Sequence, residues 1–126
     1  MTDKRVLLAI ATALLTSVAP VAAAPVFNRI ASFPVALNSP AAETSSSEII
    51  AASEDGMTLV YSDSPAGGIG FIDITDPAAP RAAGFLALEG EPTSVTIVGG
   101  KAYAAVNTRK NFVDVAGQLV VIDLAT

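Results

Sequence analysis

Cysteine, histidine and tryptophan are absent from this chain of 126 residues. Without histidine it cannot build a Ser-His-Asp triad, a phosphohistidine or a His-ligated zinc site from its own residues. Without cysteine there is no thiol nucleophile and no disulfide, so stability has to come from packing. Basic residues are few: seven Lys and Arg stand against twelve Asp and Glu, for a net charge of −5. Nucleic-acid binding depends on clustered cations, and no nucleic-acid partner is expected. Also missing are a nucleophile elbow of the G-x-S-x-G type, a P-loop and an EF-hand loop. No window of useful length shows the i, i+3, i+4, i+7 pattern of an amphipathic helix. The chemistry left is that of carboxylates, amides, hydroxyls and a few cations. Such groups suit Ca²⁺ or sugar binding, or metal-assisted phosphoester hydrolysis if further ligands are supplied from elsewhere.

What is present begins with one long apolar run. MTDKR carries Lys4 and Arg5, and VLLAIATALLTSVAPVAA (6–23) follows, rich in Ala and Leu and ending in small residues. This layout predicts a signal peptide over 1–23, with Val21 and Ala23 at the −3 and −1 positions of the cleavage site. The competing reading is an uncleaved membrane anchor, against which Pro20 and the Ala-rich exit argue. No other run approaches the ~18 apolar residues of a spanning helix. The expectation is an exported protein, periplasmic or secreted, with no transmembrane segment after cleavage. One acid (Asp3) and two bases (Lys4, Arg5) leave with the leader, so the net charge of −5 becomes −6.

The remainder, 24–126, repeats itself. AGGIGFIDIT (66–75) aligns with AGQLVVIDLA (116–125) through Ala66/Ala116, Gly67/Gly117, Ile72/Ile122 and Asp73/Asp123. RIASFPVALNSP (29–40) aligns with RAAGFLALEGEP (81–92) through Arg29/Arg81, Ala31/Ala83, Phe33/Phe85 and Pro40/Pro92. EDGMTLVYSD (54–63) covers VGGKAYAAVN (98–107) with Gly56 and Gly100 in register. Three matches in the same order make a structural repeat.

Each unit reads as four short β-segments separated by Gly, Pro, Asp and Ser. Residues 27–37 read as the outermost strand of a preceding unit. Strands at 48–53, 57–62, 69–75 and 82–88 make a complete unit, and 94–98, 101–107 and 118–124 make three-quarters of the next. Asp55-Gly56 and Gly99-Gly100 fit tight hairpins. Gly67, Gly68 and Gly70 lead into a strand rather than a helix N-terminus, so they read as turn glycines and not as a phosphate-cradling loop. The fold class expected is all-β, a partial β-propeller of about two four-stranded blades with an N-terminal closing strand, forming the front of a longer propeller. A β-sandwich is the alternative; it too has many short strands, but it does not require the same strands to recur in order. Two stacked blades would leave apolar faces and sheet edges uncovered, so association is expected.

GFIDITDPAAPRAAGF (70–85) resembles the LVIVD-type propeller repeat, in which an apolar strand ending in Asp runs into Thr-Asp-Pro-x-x-Pro. SSEIIAASEDGMTLVYSDSPAGGIGFIDITDP with GEPTSVTIVGGKAYAAVNT is similar to the front of exported bacterial propellers of the phytase-like kind, labelled "esterase-like activity of phytase". Related runs occur in choice-of-anchor propellers and in proteins labelled alkaline phosphatase. The resemblance covers most of 27–126. It implies blade architecture and, for a complete ring, a phosphoesterase or esterase; it carries no catalytic residue onto this stretch.

In such a topology the connections alternate between two ends. Leu37–Ser47, Ser62–Gly68, Glu89–Thr93 and Asn107–Gly117 should gather at one end, where the longer and more varied loops offer a site. Asp63 and Asn107 end equivalent strands and are read either as oxygen ligands near a central channel or as caps of their own turns. Arg109 and Lys110 either hold a phosphate or carboxylate or form a solvated pair. Asp73 and Asp123 are expected to bond neighbouring backbone. Glu43, Glu89 and Glu91 are rim acids or metal ligands, and Ser45–Ser47 make a polar linker. Phe33, Phe85, Tyr61 and Tyr103 are expected inside strands, in blade packing. Two functional classes follow. One is a metal-assisted phosphoesterase or esterase, with Ca²⁺ as the candidate ion and a small-molecule phosphoester as substrate. The other is a non-catalytic binding scaffold for an envelope ligand or protein.

Overall fold

The computed structural model describes residues 26–111 and 113–125; the expected leader, 1–23, lies outside them. Seven strands form where turn residues and β-formers place them: β1 (Ile50–Ala52), β2 (Thr58–Asp63), β3 (Gly68–Asp73), β4 (Arg81–Ala87), β5 (Glu91–Val98), β6 (Lys101–Asn107) and β7 (Gly117–Asp123). All pairings are antiparallel and join sequence neighbours, giving one sheet of order β1-β2-β3-β4 and a second of order β5-β6-β7. The chain is all-β among the described residues. No helix there is long and apolar enough to cross a membrane.

The two sheets pack face to face. Val60 and Ile69 of the first sheet meet Val95, Ala102, Ala104 and Val106 of the second. Phe71, Leu88, Val120, Ile122 and Leu124 pack around them. Small side chains on β6 let the sheets approach, and larger ones on β2 and β3 fill the gap. Full burial of a Val or Ile here stabilises by about 1.5–3 kcal/mol.

The β5–β6 and β1–β2 hairpins differ in the length of their turns. β5 and β6 join through Gly99-Gly100 alone, both at positive φ (58° and 73°), with Val98 paired to Lys101. That is the geometry a two-residue turn between twisted strands demands. β1 and β2 are joined by the longer loop 54–57, closed by Ser53 N donating to Thr58 O at 2.8 Å. There Asp55 Oδ1 accepts from Ser53 Oγ (2.6 Å) and Met57 N (2.9 Å). The first hairpin therefore carries one residue, Met57, between its turn glycine and its strand that the second lacks.

The strand expected over 27–37 does not form. Pro34 cannot donate to a ladder, and Val35–Leu37 close instead into a 3-10 turn, with Leu37 N donating to Pro34 O at 3.0 Å. Residues 26–34 pair with no described strand. Phe33 thus lies outside any strand, whereas Tyr61, Phe85 and Tyr103 are in strands as expected. The chain after the turn runs over the face of the first sheet that looks away from the second. Asn38 is its anchor: Nδ2 donates to Tyr61 Oη (3.1 Å) and Phe71 O (2.8 Å), and Gly84 N donates to Oδ1 (3.5 Å). β3 and β4 slip register between Phe71 and Ile72, and Asn38 takes up the carbonyl and amide that this bulge releases.

Two glycines read as turn residues have another role. Gly67 does turn, at φ 68°, but Gly68 and Gly70 are buried within β3. A Cβ on Gly68 would lie 2.5 Å from the Phe85 ring, and one on Gly70 would lie 2.1 Å from the Tyr61 ring. They make room for aromatic side chains on the outer face.

Candidate functional site

The longer connections gather at one end of the sheets. Asp63 accepts from Ser45 Oγ (2.5 Å), Ser46 N (3.0 Å) and Ala66 N (3.1 Å), tying the 39–47 segment to the β2–β3 turn. Ser64 Oγ lies 2.5 Å from Glu48 Oε2 and 2.7 Å from Pro92 O, which carries the linkage across to β5. At the next step Gly90 sits so close to β6 that a Cβ would approach Asn107 O to 2.5 Å. The opposite end has compact turns, joined by Gly99 N donating to Glu54 Oε1 at 2.8 Å.

Between the β4–β5 connection and the β6–β7 loop lies an open cleft of 610 Å³, lined by Glu89, Glu91, Asn107, Arg109, Lys110 and Gln118, with Gly90, Thr108 and Asn111 between them. Two asparagines shape its loop wall. Asn107 Oδ1 accepts from Arg109 N (3.1 Å), the turn that a side-chain oxygen makes with backbone two residues on. Asn111 Oδ1 accepts from Val113 N and Asp114 N, both at 2.9 Å, while Nδ2 donates to Asp114 Oδ2 at 2.8 Å. Thr108 N donates to Ala116 O (3.2 Å) and closes the base of the loop. Asn107 Nδ2 also reaches Glu91 Oε2 across the cleft at 3.5 Å.

Three of the four residues singled out from sequence, Asn107, Arg109 and Lys110, therefore share one cleft, and Asp63 is elsewhere. It is fully buried under residues 45 and 46, with its oxygens taken up by the contacts above. Glu89 and Glu91 line the cleft and Glu43 does not. Asp73 and Asp123 bond backbone as expected, accepting from Thr75 N (2.9 Å) and Ala125 N (3.0 Å). Each adds an ion pair, Asp73 with Arg81 (2.7 Å) and Asp123 with Lys101 (3.0 Å). The contacts to Thr75, with Arg81 behind them, hold the Asp73 carboxyl well below the usual range. Asp123 is lowered by the Ala125 amide and then by Lys101.

A Ca²⁺ site is not supported by this donor set. Among the described residues no group of three or more carboxylates stands together. Glu89 and Glu91 share their cleft with two cations instead.

Sequence reasoning missed Gln118 and Asn38. Gln118 replaces a glycine of the first unit, Gly68, and that substitution alone could have marked it. Nothing in the pattern pointed to Asn38, whose role depends on a bulge between β3 and β4, with partners 33 and 46 residues further along the chain. Comparison with family models, with curated proteins and with solved structures gives no match.

Proposed function

We propose that the chain is part of an exported β-propeller serving as a non-catalytic binding scaffold, with the cleft beside the β6–β7 loop as its ligand site. The propeller reading draws on the internal repeat, on two sheets built as simple meanders of sequence neighbours, and on their face-to-face packing. The ligand reading draws on one observation above the others: Arg109, Lys110 and three side-chain amides line a single cleft with Glu89 and Glu91. The guanidinium and ammonium suit a phosphate or carboxylate group. The amides and acids suit the hydroxyl or N–H groups of the same small molecule.

The likeness of SSEIIAASEDGMTLVYSDSPAGGIGFIDITDP and GEPTSVTIVGGKAYAAVNT to phytase-like propellers supports a second reading, hydrolysis of phosphoesters by the complete ring. Titration calorimetry with inorganic phosphate and with acetate, beside p-nitrophenyl phosphate turnover with and without Ca²⁺, separates the two. The scaffold reading expects saturable anion binding, weakened about two- to fivefold by Lys110→Ala as for an exposed charge contact, and no turnover. Turnover would replace it with the hydrolase reading. Absence of binding would remove the cleft as the site.

A further inference from the structure

The cleft beside the β6–β7 loop has walls of opposite charge. The β4–β5 connection brings Glu89 and Glu91, and the β6–β7 loop brings Arg109 and Lys110. Two acids against two bases leave the cleft without net charge, so a simple anion meets repulsion there as well as attraction.

Gly90 holds the two walls together. It sits between the glutamates at φ 136°. A Cβ on it would approach Asn107 O to 2.5 Å, Val106 Cγ1 to 2.9 Å and Thr108 Cγ2 to 3.2 Å. A residue without a side chain lets the acidic connection lie this close to the base of the basic loop. Asn107 then links the sides: Nδ2 donates to Glu91 Oε2 (3.5 Å) and Oδ1 accepts from Arg109 N (3.1 Å).

Elsewhere, neighbouring opposite charges close on each other, Arg81 on Asp73 at 2.7 Å and Lys101 on Asp123 at 3.0 Å. In the cleft, the Glu89 carboxylate and the Lys110 ammonium have no partner among the described residues. Both residues are exposed. One acid and one base therefore face a shared space with their charges available to a third group.

We infer that the cleft takes a small zwitterion, with a carboxylate or phosphate at one end meeting Lys110 and Arg109 and an ammonium at the other meeting Glu89. The inference rests on the ligand reading of this cleft and adds a positive charge to the molecule bound. Selectivity follows from repulsion as much as from attraction: a dianion would bring its second negative charge to Glu89.

NMR titration of the full chain with β-alanine, propionate and ethylamine separates the contributions. The three share a two-carbon unit and carry both charges, the anion alone or the cation alone. O-phosphoethanolamine beside inorganic phosphate makes the same comparison for a phosphate head. At least one zwitterion is expected to bind about two- to fivefold more tightly than its anion, the worth of an exposed ion pair, and to shift the Gly90 and Lys110 amides. Glu89→Gln should erase that margin without weakening the anion, while Lys110→Ala should weaken zwitterion and anion together. Glu89→Lys should turn the preference to succinate. Anions that bind as tightly as both zwitterions, in the parent chain and in Glu89→Gln alike, would overturn the inference and leave the anion site standing. Absence of binding by every probe would remove the site and the inference together.

Discussion

Asp63 and Asn107 end equivalent strands but stand one ladder position apart. Asp63 pairs with Gly68, whereas Asn107 pairs with Gly117, the counterpart of Gly67. Met57, the residue the first hairpin inserts between turn and strand, accounts for the step. A shift of one residue turns every side chain of a strand to the other face. Asp63 therefore points with Tyr61 to the outer face and is covered by residues 45 and 46, while Asn107 is left at the cleft.

The two residues should respond differently to substitution. Asp63→Asn places an amide donor among groups that themselves donate, so it should cost about 1–3 kcal/mol of stability, as for a buried polar group left unmatched. Asn107→Ala should cost less than about 1 kcal/mol, and should loosen the Arg109 turn and weaken anion binding. Urea denaturation of both variants with phosphate titration of the second checks this. Equal losses of stability would contradict the assignment.

Most strands were legible because their punctuation is local. Gly99-Gly100, Asp55-Gly56 and Asp76-Pro77 act within a few residues, and alternating apolar positions fix the faces between them. Where reasoning strayed, a distant partner decided the outcome. The 27–37 segment has the composition of β4, yet a strand exists only if an edge receives it, and its own chain leaves it unpaired. Gly68 and Gly70 look like turn residues until Phe85 and Tyr61 are seen above them. The cleft was half legible: topology said which loops meet, but not that the hairpin offset removes Asp63 and leaves Asn107.

Gly70 and Tyr61 should be energetically coupled. Gly70→Ala puts a methyl into the space of the Tyr61 ring and should destabilise by about 1–3 kcal/mol, the usual cost of overpacking. With Tyr61→Leu already in place the same change should cost markedly less. A double-mutant cycle from denaturation midpoints measures the difference, and additive effects would show that the ring is not what excludes the methyl.

Stability should decline on the acid side through Asp55, Asp73 and Asp123, whose carboxyls are all held below their ordinary value. A depressed folded pKa gives stability that is present above the ordinary Asp value, about 3.9, and lost as pH falls through the folded value. Asp73→Asn should flatten this limb. Arg81→Gln should flatten it less, because the contacts to Thr75 are the first cause of the Asp73 shift and the Arg81 contact follows. Since these groups are exposed, added salt should trim the ion-pair part. Thermal melts between pH 2 and 7 test both the ordering and the sign.

Asn38 should matter more than its place after a 3-10 turn suggests. Its side chain replaces the ladder bonds that the β3–β4 bulge interrupts, through Phe71 O and Gly84 N, and it also reaches Tyr61 Oη. Asn38→Ala leaves that carbonyl and that hydroxyl short of a donor in a buried site, so a loss of about 1–3 kcal/mol is expected. Tyr61→Phe removes the hydroxyl alone. The Asn38 amide keeps its 2.8 Å bond to Phe71 O, so the cost should stay near 1 kcal/mol, typical of one net hydrogen bond. Hydrogen exchange separates the two further: the Gly84 amide should exchange faster in Asn38→Ala and be nearly unchanged in Tyr61→Phe. If Gly84 were equally protected in both, the bulge would be held by packing and Asn38 would only cover it.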